Sequence, residues 1–277
     1  FGLPPVKLSG NGAAQTHTED VFATKQISHW TTEGKKPYMV YTEHGGTGSV
    51  HQNVAIAGFG PQEHDRCASF SLICEKIVPA EAIKQLEHEM VYNDKECCDD
   101  GHRDNILDLH HTHVSIGIAY DDYYLALVQN FENNYGLDMT IDQGYVSITG
   151  PLPSGARLED VAIYYDETPK PSNYVDNIKK KSHDTGELVA SVLEPLPPGL
   201  RYQQPKGGDS TVIEADSWVK DKGTKLDIAF DLQPAIKKAG VYTIYVMLKD
   251  AQGRQFDATS YSVFVQSTDA AVGTMTQ

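Results

Sequence analysis

Positions Ala13, Ala14, His17, Val21 and Phe22 recur at helical spacing, which predicts a helix over residues 11–26. A second helix is predicted from Pro79, a residue suited to a first helical turn, through Glu81, Ile83, Leu86 and Met90 to about Asn93. The pattern then shortens. His113 to Ala119 and Tyr123 to Phe131 read as paired strands about a turn at Asp121-Asp122, so the first half is mixed α and β. Beyond Gly136 come short β-rich runs at Tyr145 to Ile148, Leu158 to Tyr165, Gly186 to Val192, Lys225 to Leu232, Val241 to Leu248 and Ala258 to Val265. Turn-forming stretches part them, among them Pro151-Leu152-Pro153-Ser154-Gly155, Pro195-Leu196-Pro197-Pro198-Gly199 and Lys206-Gly207-Gly208-Asp209. The last two runs, joined through Asp250-Ala251-Gln252-Gly253, predict the closing hairpin of a sandwich. The fold class read from this pattern is α+β, with an α/β domain over 1–136, an immunoglobulin-like β-sandwich over 137–267 and a polar tail over 268–277.

Composition changes this picture little. A chain of 277 residues suits two domains, and 40% hydrophobic with 22% charged residues is an ordinary globular balance. No apolar run is long enough to span a bilayer. A formal charge of -15 argues against nucleic-acid or anionic-membrane partners, both of which need clustered Lys and Arg. Phe1-Gly2-Leu3-Pro4-Pro5 lacks the basic start and apolar run of a signal peptide, so a cleaved leader or a longer precursor is expected.

Cysteine and histidine carry more. Cys67, Cys74, Cys97 and Cys98 are an even, local set, which predicts two disulfides in an oxidising, extracellular or cell-surface compartment. A four-thiolate zinc site usually shows two C-x-x-C knuckles, and the spacing here differs. Connectivity stays open, although adjacent Cys97 and Cys98 are expected to pair outward, to Cys67 and Cys74, because a vicinal bridge strains the backbone. Ten of the eleven histidines lie at or before His113. The chemically suggestive half is therefore the first.

Six segments in order give that half a family likeness: Ala14-Gln15-Thr16-His17-Thr18-Glu19-Asp20, Ile27-Ser28-His29-Trp30, Gln52-Asn53-Val54-Ala55, Gly101-His102-Arg103-Asp104-Asn105-Ile106-Leu107, Ser115-Ile116-Gly117-Ile118 and Val128-Gln129-Asn130-Phe131. Together they resemble the CAP superfamily of cysteine-rich secretory, antigen 5 and pathogenesis-related proteins, in its prokaryotic-like branch. The resemblance implies an α-β-α sandwich with a cleft lined by two histidines and two glutamates, the histidines being His29 and His102. In the family such a pair can hold zinc, and neutral imidazoles suit that ion. The glutamates carry over badly. Gln52 stands where the family has Glu, and an amide cannot serve as a general base. On the helix before His102, where Glu87, His88 and Glu89 are on offer, His88 sits nearest the family's second glutamate, with Glu89 adjacent. The family's N-terminal helix is also missing or removed here, since Leu3-Pro4-Pro5-Val6-Lys7-Leu8 lies nearly at the start. A face left uncovered in this way implies assembly, as a homo-oligomer or with cell-surface protein partners.

Other enzyme patterns fail. His88-Glu89 does not complete H-E-x-x-H, because Tyr92 holds the fifth position, and no G-x-S-x-G turn occurs. His17 reads as structural, His64 and His183 as surface or hydrogen-bonded residues, and His111 and His113 as flanking one side of the cleft. The acidic cluster Asp94, Glu96, Asp99, Asp100 and Asp104 reads as a solvated loop. Gly101 is expected to allow a close backbone approach, and Arg103 to fork onto a carboxylate that pins the loop presenting His102. The functional expectation is a secreted or cell-surface, non-enzymatic protein acting in adhesion, surface assembly or ligand binding. Its rivals are a zinc-dependent hydrolase using His29 and His102, and a module binding sterols, lipids or glycans.

Overall fold

A computed structural model describes residues 2–205, 207, 210–221 and 224–266, so the expected tail over 268–277 and most of the 206–209 turn lie outside the described residues. Helices and strands are mixed, and the strands form three sheets. The chain divides into two units, and the division is not a single cut at Gly136. The first unit takes Phe1–His44, Val50–Glu132 and Lys170–His183; the second takes Gly45–Ser49, Asn133–Pro169 and the chain from Asp184 onward. Two short excursions, 45–49 and 170–183, thus cross from the half of the sequence in which they are written.

In the first unit, β1 (Lys7–Leu8), α1 (Ala13–Thr24), α2 (Pro37–Glu43), β2 (Ser49–Gly58), α3 (Pro61–Ala68), α4 (Pro79–Tyr92), α5 (Asp94–Cys98), α6 (Gly101–Ile106), β3 (His113–Tyr120) and β4 (Tyr124–Asn133) follow in order. The sheet order is β1-β3-β4-β2. The predicted β3–β4 hairpin is present, with Val114 opposite Phe131 and Tyr120 opposite Leu125. Every residue of β4 is buried, because helices cover both faces of the sheet. Alternation along the strand sends Tyr124, Ala126 and Val128 to a cluster with Ala14 and Val21 of α1. Leu125 and Leu127 go to the other side, where Met90, Leu86 and Ile83 of α4 and Ile106 of α6 pack. Both predicted helices exist and bury the expected faces. The α1 contact is close: a Cβ on Gly117 of β3 would lie 2.2 Å from Thr18 Oγ1 and 2.3 Å from the Ala14 carbonyl oxygen. Only glycine lets the helix lie so near the strand.

In the second unit, β5 (Asp138–Asp142), β6 (Tyr145–Pro151) and β7 (Arg157–Asp166) precede α7 (Pro171–Asn177), which belongs to the first unit. Then follow β8 (Glu187–Leu193), β9 (Thr211–Glu214), β10 (Ser217–Asp221), β11 (Lys225–Asp231), a short 3-10 turn at Gln233–Ala235, β12 (Gly240–Lys249) and β13 (Gln255–Val265). All six predicted runs are strands, and the last two form the predicted antiparallel hairpin. Two sheets, β10-β11-β6-β5 and β13-β12-β7-β8-β9, share one apolar core. That core draws Val146, Ile148, Ile228 and Phe230 from the first sheet and Val161, Ile163, Ile244 and Val246 from the second. One pair departs from an all-antiparallel sandwich, since β8 and β9 run parallel.

The cysteine pairing differs from expectation. The bridges are Cys67–Cys74 and Cys97–Cys98, not crossed pairs. After α3 the chain turns back, with Ser71 and Leu72 N–H donating to the Arg66 carbonyl, and this brings Cys74 to Cys67 across 5.6 Å between Cα atoms. Cys97 and Cys98 sit together on the single turn of α5, which packs on α6.

Candidate functional site

Of the predicted residues, His29 and Gln52 meet directly, while His88 and Glu89 stay outside their hydrogen-bond chains. Gln52 and Asn53 are neighbours on β2, so their side chains leave opposite faces of the strand and head two separate hydrogen-bond chains. On one side, Gln52 Oε1 lies 3.1 Å from His29 Nδ1, and Gln52 Nε2 donates to Asn130 Oδ1 at 3.1 Å. His17 on α1 is buried behind it, and its Nε2–H donates to the Ser28 carbonyl at 2.8 Å. The His17 ring thereby fixes the turn that presents His29. His29 has a protein oxygen at each ring nitrogen, because its Nε2 lies 3.2 Å from the Lys181 carbonyl.

On the other side, Asn53 Nδ2 donates to the His102 carbonyl at 3.2 Å, and its Oδ1 accepts from Asn105 Nδ2 at 2.9 Å. Asn105 in turn accepts the Nε2–H of His111 at 2.9 Å. Gln129 bridges Asn53 to α4: it accepts from Asn53 at 3.4 Å and donates to Glu87. The helix residue facing the sheet is therefore Glu87, not His88 or Glu89. Those two are exposed, His88 against the Tyr92 ring and Glu89 accepting from Asn93. Burial pushes the Glu87 carboxyl above its ordinary value, with the Gln129 bond opposing in part.

His102 is held by an unexpected partner. Asp94, read from sequence as part of a solvated loop, is 2% exposed. Its Oδ1 accepts from His102 Nδ1 at 2.7 Å, while Oδ2 accepts the backbone N–H of His102 at 2.8 Å and of Arg103 at 3.1 Å. The loop is thus pinned by a carboxylate working through the backbone rather than by the Arg103 guanidinium. Nor does Gly101 meet a close neighbour; the tight turn is made by Asp99 and Asp100, both left-handed at φ 51° and 65°. Asp94 fixes the His102 tautomer with its proton on Nδ1, which leaves the Nε2 lone pair available.

Sequence reasoning missed the return of 170–183 to this unit. That segment brings the Lys181 carbonyl to His29, and it sets His183 edge-on to the rings of His29, Trp30 and Tyr38, at centroid distances of 5.8, 6.3 and 5.7 Å. Lys181 Nζ also donates to the Cys97 carbonyl. No periodicity flags such a segment; the lone histidine after His113 was the only available signal. His64, by contrast, is hydrogen-bonded as expected, to Asp121 at 2.7 Å.

Burial decides the charge state of the inner histidines. His17 is pushed down from 6.5 to about 4, chiefly by desolvation, and His29 is lowered by desolvation with a smaller contribution from the facing charge of His102. Both atoms facing the His29 ring are oxygens, and a neutral imidazole has a single N–H, so only one of its two nitrogens donates to a protein group. Among the described residues, the group whose donor atoms converge to hold a metal ion is Asp94, Cys97, Cys98 and His102, within 4.8 Å of one another.

A pH prediction follows from His17. Its folded value is depressed, so above pH 6.5 neither state is protonated and the effect vanishes; below it the unfolded chain takes up a proton that the folded chain refuses. Stability should therefore fall as pH drops from 6.5 to 4, by about 3 kcal/mol from this residue, with His29 acting in the same direction. Urea unfolding at several pH values checks this: His17→Gln should flatten the slope, and an unchanged slope would count against it.

No known protein-family model matches the chain, and no curated protein matches it. The likeness to the CAP superfamily accordingly rests on the six sequence segments alone.

Proposed function

We propose that the chain is an extracellular or cell-surface CAP-type protein with an immunoglobulin-like second unit, and that its histidine site binds a ligand or a surface partner without catalysing a reaction. The observation that carries this reading is the pair of amide chains that Gln52 and Asn53 head on the two faces of β2. Gln52 with Asn130, and Asn53 with Asn105 and Gln129, bind one another and the histidine segments, so amides, which neither take nor release protons, fill most of the positions between the Glu87 and Asp94 carboxylates and the histidines. Such a surface is preorganised for recognition, since its side chains have little freedom left to lose on binding. Two disulfides support an oxidising compartment, and two apolar cores support a two-module surface protein. The adhesion or assembly role itself is an analogy from architecture.

The test joins location to activity. Intact cells treated with a membrane-impermeant amine label should yield the labelled chain. The purified protein with added zinc should show no turnover of ester or peptide libraries above that of His102→Ala. Exclusion from the label would remove the surface assignment. Turnover abolished in His102→Ala would instead favour a hydrolase, a reading to which the raised Glu87 carboxyl and the Asp94–His102 pair lend some chemistry.

A further inference from the structure

We propose that Asp94, Cys97, Cys98 and His102 form a redox-gated site for a thiophilic divalent cation, closed while Cys97 and Cys98 are bridged and opened by their reduction. Four donor atoms from these residues lie within 4.8 Å of one another. The local fold explains why they converge. On α5, Asp94 stands three and four residues before the two cysteines, so one helical turn sets all three on adjoining faces. Asp94 Oδ2 is taken by the backbone N–H groups of His102 and Arg103, which aims Oδ1 at His102 Nδ1, 2.7 Å away, and at Cys97 Sγ, 3.5 Å away. The carboxylate is buried and so held in place, whereas Cys97 is exposed to solvent and within reach of a reductant.

The sulfurs decide the state. A disulfide carries no thiolate, and thiolate is the form that binds metal. With a dithiol as reductant, the exchange is one protein disulfide plus one dithiol giving two cysteine thiols and the oxidised, cyclic reductant; the dithiol supplies both electrons and both protons. A divalent cation then displaces the two thiol protons and takes one oxygen of Asp94 and Nδ1 of His102, whose ring proton moves to Nε2 through solvent. Two thiolates, one imidazole and one carboxylate make a four-donor set of the kind that suits Zn2+. Re-oxidation by a second disulfide reverses the exchange and releases the ion. This site shares Asp94 and His102 with the histidine surface proposed above, but its test reads cysteine-dependent metal binding, which that surface role does not require.

The experiment uses the full chain, oxidised or reduced with dithiothreitol and desalted without oxygen, and titrated with Co2+ as a spectroscopic substitute for Zn2+. The reduced chain should bind one equivalent with a sulfur-to-cobalt charge-transfer band, and the oxidised chain should show no such band. Cys97→Ser with Cys98→Ser should abolish the band, and Cys67→Ser with Cys74→Ser should keep it. His102→Gln, which removes a direct imidazole ligand, should weaken binding by more than about the 10–100-fold that loss of an outer-shell partner costs. Should a cysteine variant fail to fold, iodoacetamide mapping of the wild-type chain gives the same answer: Zn2+ should protect Cys97 and Cys98 from alkylation. Equal binding by the oxidised chain, a band that follows Cys67 and Cys74, or unprotected Cys97 and Cys98 would overturn the proposal.

Discussion

Asp94→Ala is expected to cost about 3–4 kcal/mol of folding stability, the range for leaving buried donors without their charged acceptor. Its carboxylate is 2% exposed and accepts from two backbone N–H groups and the His102 ring, so the loss strands three donors at once. Asp94→Asn should cost less, because the amide oxygen can still accept one or two of these bonds. The His102 ring should also lose its fixed tautomer in both variants. Urea unfolding measures the first effect. A change within about 0.5 kcal/mol, as for an ordinary surface position, would return Asp94 to the solvated loop that its acidic neighbours suggest.

Gly117→Val should be comparably damaging for a steric reason. The added Cβ would lie 2.2 Å from Thr18 Oγ1 and 2.6 Å from the Ala14 carbonyl carbon. Those atoms belong to the turn of α1 that carries His17, so the helix must move off the strand. Overpacking of this kind costs about 3 kcal/mol, and it should also speed amide hydrogen exchange in α1. A variant with wild-type melting temperature and unchanged exchange would show that α1 does not rest on Gly117.

What the sequence made legible was whatever repeats with a period. The spacing of Ile83, Leu86 and Met90 marked α4, and the alternating runs marked β3, β4 and all six predicted strands of the second unit. β2 escaped because Val50, Gln52, Asn53, Val54 and Ala55 are all buried, which erases alternation from a strand that is polar at its centre. The parallel strand β9 is only Thr211–Glu214, too short to show a period. At the site, His29, Gln52 and His102 were found through the family likeness, and the structure brings them to one region with Glu87 facing the sheet where His88 or Glu89 was expected. Asp94 was hidden among four other acidic residues of its loop, since composition does not reveal which carboxylate turns inward. His183 and Lys181 were hidden for a topological reason: they are written between strands of one unit and fold against the other.

In the proposed function the His17, Gln52 and His29 group is a neutral, hydrogen-bonded recognition element rather than an acid–base centre. Long-range 1H–15N spectra of the histidine rings, recorded on the oxidised chain across pH 4 to 8, test it most directly. The expected result is a His17 ring that stays neutral with its proton on Nε2 until about pH 4, a His29 ring that titrates below 6.5, and a His102 ring whose Nδ1 carries a proton against Asp94. A His102 ring with no proton on Nδ1 would contradict the Asp94 bond, and a His29 ring that titrates at or above 6.5 would contradict the neutral recognition element itself.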